Sequence, residues 1–249
     1  MLPHVLPALG FVGGFLLGLV GFGWGSTILP LLILLEADPK VAIGAVVTSN
    51  TVMCLLGSLR YGNSKLFSWR VAAPTAAAAI SAALVGTAFS TLLPGKVVVA
   101  VLGLYLTVGG VSLALRPPSF KRSPDGATVA LWKFVAGGAI PGFFEGAYGS
   151  GGPAGMLTLM MLRVPVKVAI GSWLTASLLS QGAASVVYGV QGIVDPVMTG
   201  LLVVGGIPAM ILGSHITIKR LADSTIERVA GLAIFLLGSR LIAINVLHF

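Results

Sequence analysis

The chain has 249 residues, 56% of them hydrophobic and 9% charged, with a formal net charge of +8 and a mean hydropathy of +1.02. Soluble domains carry about 25% charged residues, so a water-exposed fold of this length would lack the polar surface to cover its core; lipid as solvent removes that need. The positive balance does not point to nucleic acid, because the 15 Lys and Arg lie mostly in short connections between apolar stretches, where topology signals sit.

In chain order, residues 1–10 have no basic n-region and no small-residue cleavage site, so they read as the start of a membrane segment and not as a cleaved leader. The first apolar segment, 6–35, is interrupted at Gly21-Phe22-Gly23-Trp24-Gly25. Three uninterrupted segments follow at about 41–61, 70–93 and 96–115, each near the ~20 residues that a spanning helix needs. A stretch rich in Pro, Ser and basic residues, 116–128, is the candidate linker. The second set opens with 132–162, interrupted at Gly149-Ser150-Gly151-Gly152-Pro153, and continues with about 167–189, 196–218 and 225–247. The single Cys54 excludes an internal disulfide.

The chain is written twice. Lys40-Val41-Ala42-Ile43-Gly44 recurs as Lys167-Val168-Ala169-Ile170-Gly171, an offset of 127. At that offset Thr48 meets Thr175, Ser58 meets Ser185, Tyr61-Gly62 meets Tyr188-Gly189, and Gly86 meets Gly213. Upstream, Gly14, Gly18, Gly21 and Gly23 meet Gly142, Gly146, Gly149 and Gly151 at an offset of 128. The repeats are 1–120 and 121–249, within one transmembrane domain.

The basic residues then choose between two topologies. If each broken segment spans as an ordinary helix, eight helices in a 4+4 arrangement split the loop Lys and Arg into seven and seven. If each is a re-entrant hairpin that enters and leaves on one face, 12 fall together and only Lys40 and Lys96 lie opposite. The second arrangement satisfies the rule that cytoplasmic loops hold the Lys and Arg. The expected fold is therefore all-α and integral to the membrane. It comprises two inverted repeats, each a glycine-broken hairpin plus three transmembrane helices, with both termini non-cytoplasmic in the plasma (inner) membrane. Paired, interrupted segments in inverted repeats mark a transporter whose site lies at the breaks near the midplane.

Gly14-xxx-Gly18 and Gly142-xxx-Gly146 suit close helix approach. The denser clusters, Gly21, Gly23, Trp24, Gly25, Ser26 and Gly149, Ser150, Gly151, Gly152, suit an unwound tip. The free N–H groups of such a tip, joined to a helix N-terminus, form an anion cradle. Thr48, Ser49 and Asn50 lie at matched depth with Thr175, Ser177 and Gln181 on the next helix of each half and complete the candidate substrate site. Glu145 and Arg240 are charges inside expected spans. They are candidates for an ion pair with each other, or Glu145 for carrying a proton with the substrate. His215 reads as interfacial, beside Lys219 and Arg220. There is no HExxH, GxSxG, CxxC or P-loop, so the sequence calls for no enzyme, no cofactor and no metal.

At the two breaks the sequence resembles the TauE/SafE family of anion permeases, also called the sulfite exporter family. The residues that carry the likeness are Gly18-Leu19-Val20-Gly21-Phe22-Gly23-Trp24-Gly25 followed by Pro30, and Gly146-Ala147-Tyr148-Gly149-Ser150-Gly151-Gly152-Pro153. The helix starts Ala42-Ile43-Gly44 and Ala169-Ile170-Gly171, with Thr48-Ser49 and Thr175-Ala176 after them, also fit. Trp24 and Pro153 stand where the family has glycine, and Ala176 where it has serine; these changes narrow or reshape the site. The resemblance implies transport of sulfite, sulfonates or related small oxyanions. An anion channel using the same cradles, or a transporter of a different small solute, is the alternative.

Overall fold

The computed structural model describes residues 4–89 and 129–247, with four isolated positions between them (104, 107, 108 and 111); for 241–247 it describes the backbone alone. Among the described residues every regular element is an α-helix: α1 (Val5–Val20), α2 (Trp24–Leu34), α3 (Pro39–Asn63), α4 (Trp69–Phe89), α5 (Leu131–Tyr148), α6 (Gly152–Met161), α7 (Val166–Val190), α8 (Pro196–Lys219) and α9 (Asp223–Leu247). The span expected at 96–115, but for those isolated positions, and the linker expected at 116–128 lie outside the described residues. By length and composition α3, α4 and α8 are long and apolar enough to cross a membrane.

Local chemistry sets the element ends. Helix α1 stops at Gly21, whose φ of 80° is left-handed and whose N–H reaches the Leu17 carbonyl; α5 stops in the same way at Gly149, φ 64°. Gly23, at φ 124°, takes a conformation that L side chains rarely adopt. Asp38 and Asp195 cap α3 and α8, each followed by a proline in the first turn. The two breaks are shorter than the glycine clusters suggest. Only 21–23 and 149–151 are non-helical, so Trp24, Gly25, Ser26 and Gly152 belong to the first turns of α2 and α6. Glycine and proline are tolerated there because the first N–H groups of a helix have no intrahelical acceptor.

Packing rests on backbone contact at small residues. Helix α1 lies on α8, where Cβ atoms at Gly10, Gly14 and Gly18 would run into the backbone of Leu202, Gly206 and Met210. Helix α5 lies on α4, with Gly138, Gly142 and Gly146 against Thr75, Ala79 and Ala83. Both stripes are close-approach surfaces of the small-xxx-small kind. Helices α3 and α7 pack together in the middle. Tyr61 donates to the Gly18 carbonyl at 2.8 Å, and Tyr188 to the Gly146 carbonyl at 2.5 Å. Near the helix starts, Gly44 of α3 abuts the Ile193 carbonyl and Gly171 of α7 abuts the Leu66 carbonyl. Large apolar side chains such as Trp69, Val186, Val190, Val197 and Val204 face outward, as lipid contact requires.

Candidate functional site

The two breaks meet. A Cβ at Gly25 would overlap the Gly149 carbonyl, and one at Gly152 would lie 3.0 Å from the Phe22 Cβ. Around this junction is a cavity of about 230 Å³, its open part included. Leu17 and residues of both breaks line it, together with Asn50 of α3, Glu145 of α5, and Trp173 and Ser177 of α7.

Helices α2 and α6 both begin at this cavity. The first intrahelical bond of α2 runs from the Thr27 N–H to the Gly23 carbonyl, so the N–H groups of Trp24, Gly25 and Ser26 lie ahead of it. In α6 the corresponding bond runs from the Gly155 N–H to the Gly151 carbonyl, leaving the N–H groups of Gly152 and Ala154; Pro153 has none. Two positive helix ends therefore converge, an arrangement suited to a small anion.

Side-chain donors sort into engaged and available groups. The Trp24 indole N–H donates to Ser49 Oγ at 3.1 Å, and the Ser49 hydroxyl donates to the Ala45 carbonyl at 2.6 Å. Both lie within the protein's own network. Asn50 Oδ1 accepts from Cys54 Sγ at 3.7 Å, which leaves its amide NH₂. Ser26 Oγ is buried with no hydrogen-bond partner among the described residues. The Trp173 indole N–H likewise has no protein acceptor among them. It sits 3.8 Å from where a Cβ on Gly152 would project.

Of the residues expected from sequence, the cavity lining takes in Gly21, Gly23, Trp24, Gly25, Ser26, Asn50, Gly149, Ser150, Gly152 and Ser177. Five others lie elsewhere. Thr48 accepts from Ser185 at 2.9 Å and Thr175 donates to Ser58 at 3.2 Å, so both join α3 to α7. Ser49 supports Trp24. A Cβ on Gly151 would enter α5 at the Pro141 carbonyl and Glu145 Cγ, so this glycine serves packing. Gln181 donates to Glu145 at 3.2 Å from behind the cavity wall.

The expected pair of Glu145 with Arg240 is not formed. Glu145 is fully buried and accepts from Ser177, Ser180 and Gln181, all on α7. Arg240 is exposed on α9. The two helices that carry them are not packed side by side, and the buried carboxyl and the exposed guanidinium do not meet, which defeats a pairing inferred from depth alone. Sequence reasoning missed Leu17, Phe22, Pro153 and Trp173 as lining. Phe22 and Pro153 stand inside the break motifs. Trp173 could have been found as a bulky polar-edged residue where the other half carries Val46.

The profile of the sulfite exporter TauE/SafE family matches residues 6–241. A relative described as "Probable membrane transporter protein YjnA", from Bacillus subtilis (strain 168), is 24% identical over 250 residues, covering 94% of this chain and 97% of its own. No solved structure matches significantly.

Proposed function

The chain belongs to the sulfite exporter TauE/SafE family of membrane transporters, and on that premise we propose that it is a secondary transporter of small anions such as sulfite, organosulfonates or related oxyanions. The anion lies between the two breaks. The observation that carries the reading is the convergence of two helix N-termini, from opposite halves of the chain, on one cavity with unengaged donors at Ser26, Asn50 and Trp173. Backbone N–H groups and neutral side chains hold an oxyanion without a fixed counter-charge, which suits binding that must also release.

In this reading the halves are inverted repeats in the plasma (inner) membrane. Matched contacts support it. Thr48–Ser185 and Ser58–Thr175 are the same pair seen from either half, since Thr48 corresponds to Thr175 and Ser58 to Ser185. The α1–α8 and α4–α5 glycine contacts correspond position by position. Helix α1 runs parallel to α8, and the α7–α8 connection touches the start of α3. The start of α1 and the end of α2 thus belong to one face. By the equivalent contacts, α5 and α6 enter and leave on the other. With α2 and α6 at 11 and 10 residues, each is roughly 16 Å long, about half of a ~30 Å hydrocarbon core. Two hairpins from opposite faces would meet near the midplane, and both termini would be non-cytoplasmic.

Counterflow in proteoliposomes tests the reading. Preloaded unlabelled sulfite or methanesulfonate should accelerate entry of the labelled anion. Entry independent of preloading would indicate a channel, and no entry of either anion would overturn the substrate class.

A further inference from the structure

We propose that Glu145 is a proton site coupled to anion binding, so that one proton crosses with each anion in the same direction; this rests on the anion reading above.

The carboxyl group shares the cavity with both helix N-termini, yet it is fully buried. Its partners are the neutral groups Ser177, Ser180 and Gln181. Helix α5 packs against α3, α4, α6 and α7. The ionisable groups of these helices are few and engaged elsewhere. On α3, Lys40 is exposed, Arg60 donates to Ser214 at 2.7 Å, Tyr61 donates to Gly18, and Cys54 neighbours Ser177. On α4, Arg70 is exposed. Helix α6 has none. On α7, Lys167 lies 3.8 Å from Asp223, and Tyr188 donates to Gly146. On α5 itself, Lys133 is exposed and Tyr148 is half-buried. No cation among the described residues therefore neutralises Glu145.

An ionised Glu145 and a bound anion would repel each other in a medium of low dielectric constant. The anion therefore selects the protonated acid. The surroundings suit both states. Three donors hold the carboxylate when the cavity is empty. A serine hydroxyl can turn to accept when the carboxyl carries a proton. Gln181 Oε1, buried without a partner, is a further acceptor. The cycle balances. The carboxylate gains a proton on the side where the anion binds, and it loses that proton on the side where the anion leaves. A monoanion then crosses with no net charge. The counterpart of Glu145 in the first half is Leu17, which also lines the cavity, so coupling was added to one half of a duplicated frame.

The test measures binding of labelled sulfite and of methanesulfonate, whose charge is constant across the range, between about pH 5.5 and 8.5. Wild type should lose methanesulfonate affinity towards tenfold per pH unit on the alkaline limb, and Glu145→Gln should give a flat profile. In wild-type proteoliposomes a pH dye should report one proton entering per methanesulfonate. Should Glu145→Gln fail to fold, that stoichiometry still decides. A flat wild-type profile with binding intact, a slope that survives in Glu145→Gln, or anion entry without protons would each overturn the proposal. Failure of wild type to bind either anion would overturn the anion reading, and this one with it.

Discussion

Gly152→Ala separates the proposed anion site from the scaffold, because its new methyl group meets the cavity-lining Phe22 and Trp173 and no helix backbone. The added Cβ would sit 3.0 Å from Phe22 Cβ, 3.4 Å from Phe22 Cα and 3.8 Å from the Trp173 indole nitrogen. Two stability effects oppose. Ala is favoured over Gly in a helix by up to about 1 kcal/mol, less in a first turn. One tight contact against Phe22 belongs at the low end of the ~1–3 kcal/mol for overpacking. The net change in stability should stay within about 1 kcal/mol, or roughly 2–4 °C in melting temperature. Affinity should fall much further. The methyl group stands between the α6 N-terminus and the Trp173 N–H, so an anion loses reach to at least one donor. A hydrogen bond to a charged group contributes about 1.5–3 kcal/mol, which is roughly 10- to 150-fold in Kd. Thermal melting and labelled-sulfite binding on the same preparation check both halves of the argument. Gly200→Ala is the control, since nothing lies within 4 Å of a Cβ there. Unchanged melting together with unchanged Kd in Gly152→Ala would refute the placement of the anion at this junction.

Trp173→Phe removes the unengaged indole N–H and should weaken anion binding by about tenfold or more, read by equilibrium binding. Gly14→Ala and Gly142→Ala should destabilise the protein alike, by ~2 kcal/mol or more in thermal melts, because each Cβ would come to 2.5 Å from backbone, of Gly206 and of Ala79 respectively. A large effect in one and none in the other would argue against equivalent halves. Single cysteines at Ser64, Ser119, Val166 and Asp223 should all label from the cytoplasmic face, because 12 basic residues share it in the hairpin arrangement. Labelling of Val166 from the opposite face to Ser64 would refute that topology.

Much of the helical frame was legible in the residues. The long apolar segments were placed to within a few residues because glycine, Asp-Pro and polar turns punctuate them: 41–61 is α3 at Pro39–Asn63, and 196–218 is α8 at Pro196–Lys219. The glycine breaks were legible for the same reason. Their length was not, since a helix accepts Gly25 or Gly152 in its first turn as readily as a loop does. Depth along a helix is readable from position, but azimuth is not. Thr48, Thr175 and Gln181 share the depth of the cavity, yet they point at a neighbouring helix or at Glu145. The Glu145–Arg240 expectation failed on that point, for two charges at similar depth can point in different directions, one into the core and one outward.

The asymmetries of the chain fall at its centre. Where the halves only support each other, they match: glycine stripe for glycine stripe, Tyr61 for Tyr188, Thr48–Ser185 for Thr175–Ser58. Where both line the cavity, Gly21 and Gly149 match but other pairs differ. Leu17 corresponds to Glu145, and Trp24 to Gly152. On the proposed transporter reading, a duplicated scaffold needs its matched contacts so that two arrangements of similar energy exist, one open to each face. A strictly symmetric cavity would offer an anion equivalent donors from both halves. Placing an indole in one half and a carboxyl group in the other makes the two walls chemically distinct. Trp24, its N–H held by Ser49, fills space on the first wall, so that the donors left there are backbone N–H groups with Ser26 and the Asn50 amide. The second wall keeps the small Gly152 and the available Trp173 N–H beside Glu145. Selectivity should therefore respond more to changes at Gly152, Trp173 and Glu145 than to changes at their counterparts Trp24, Val46 and Leu17.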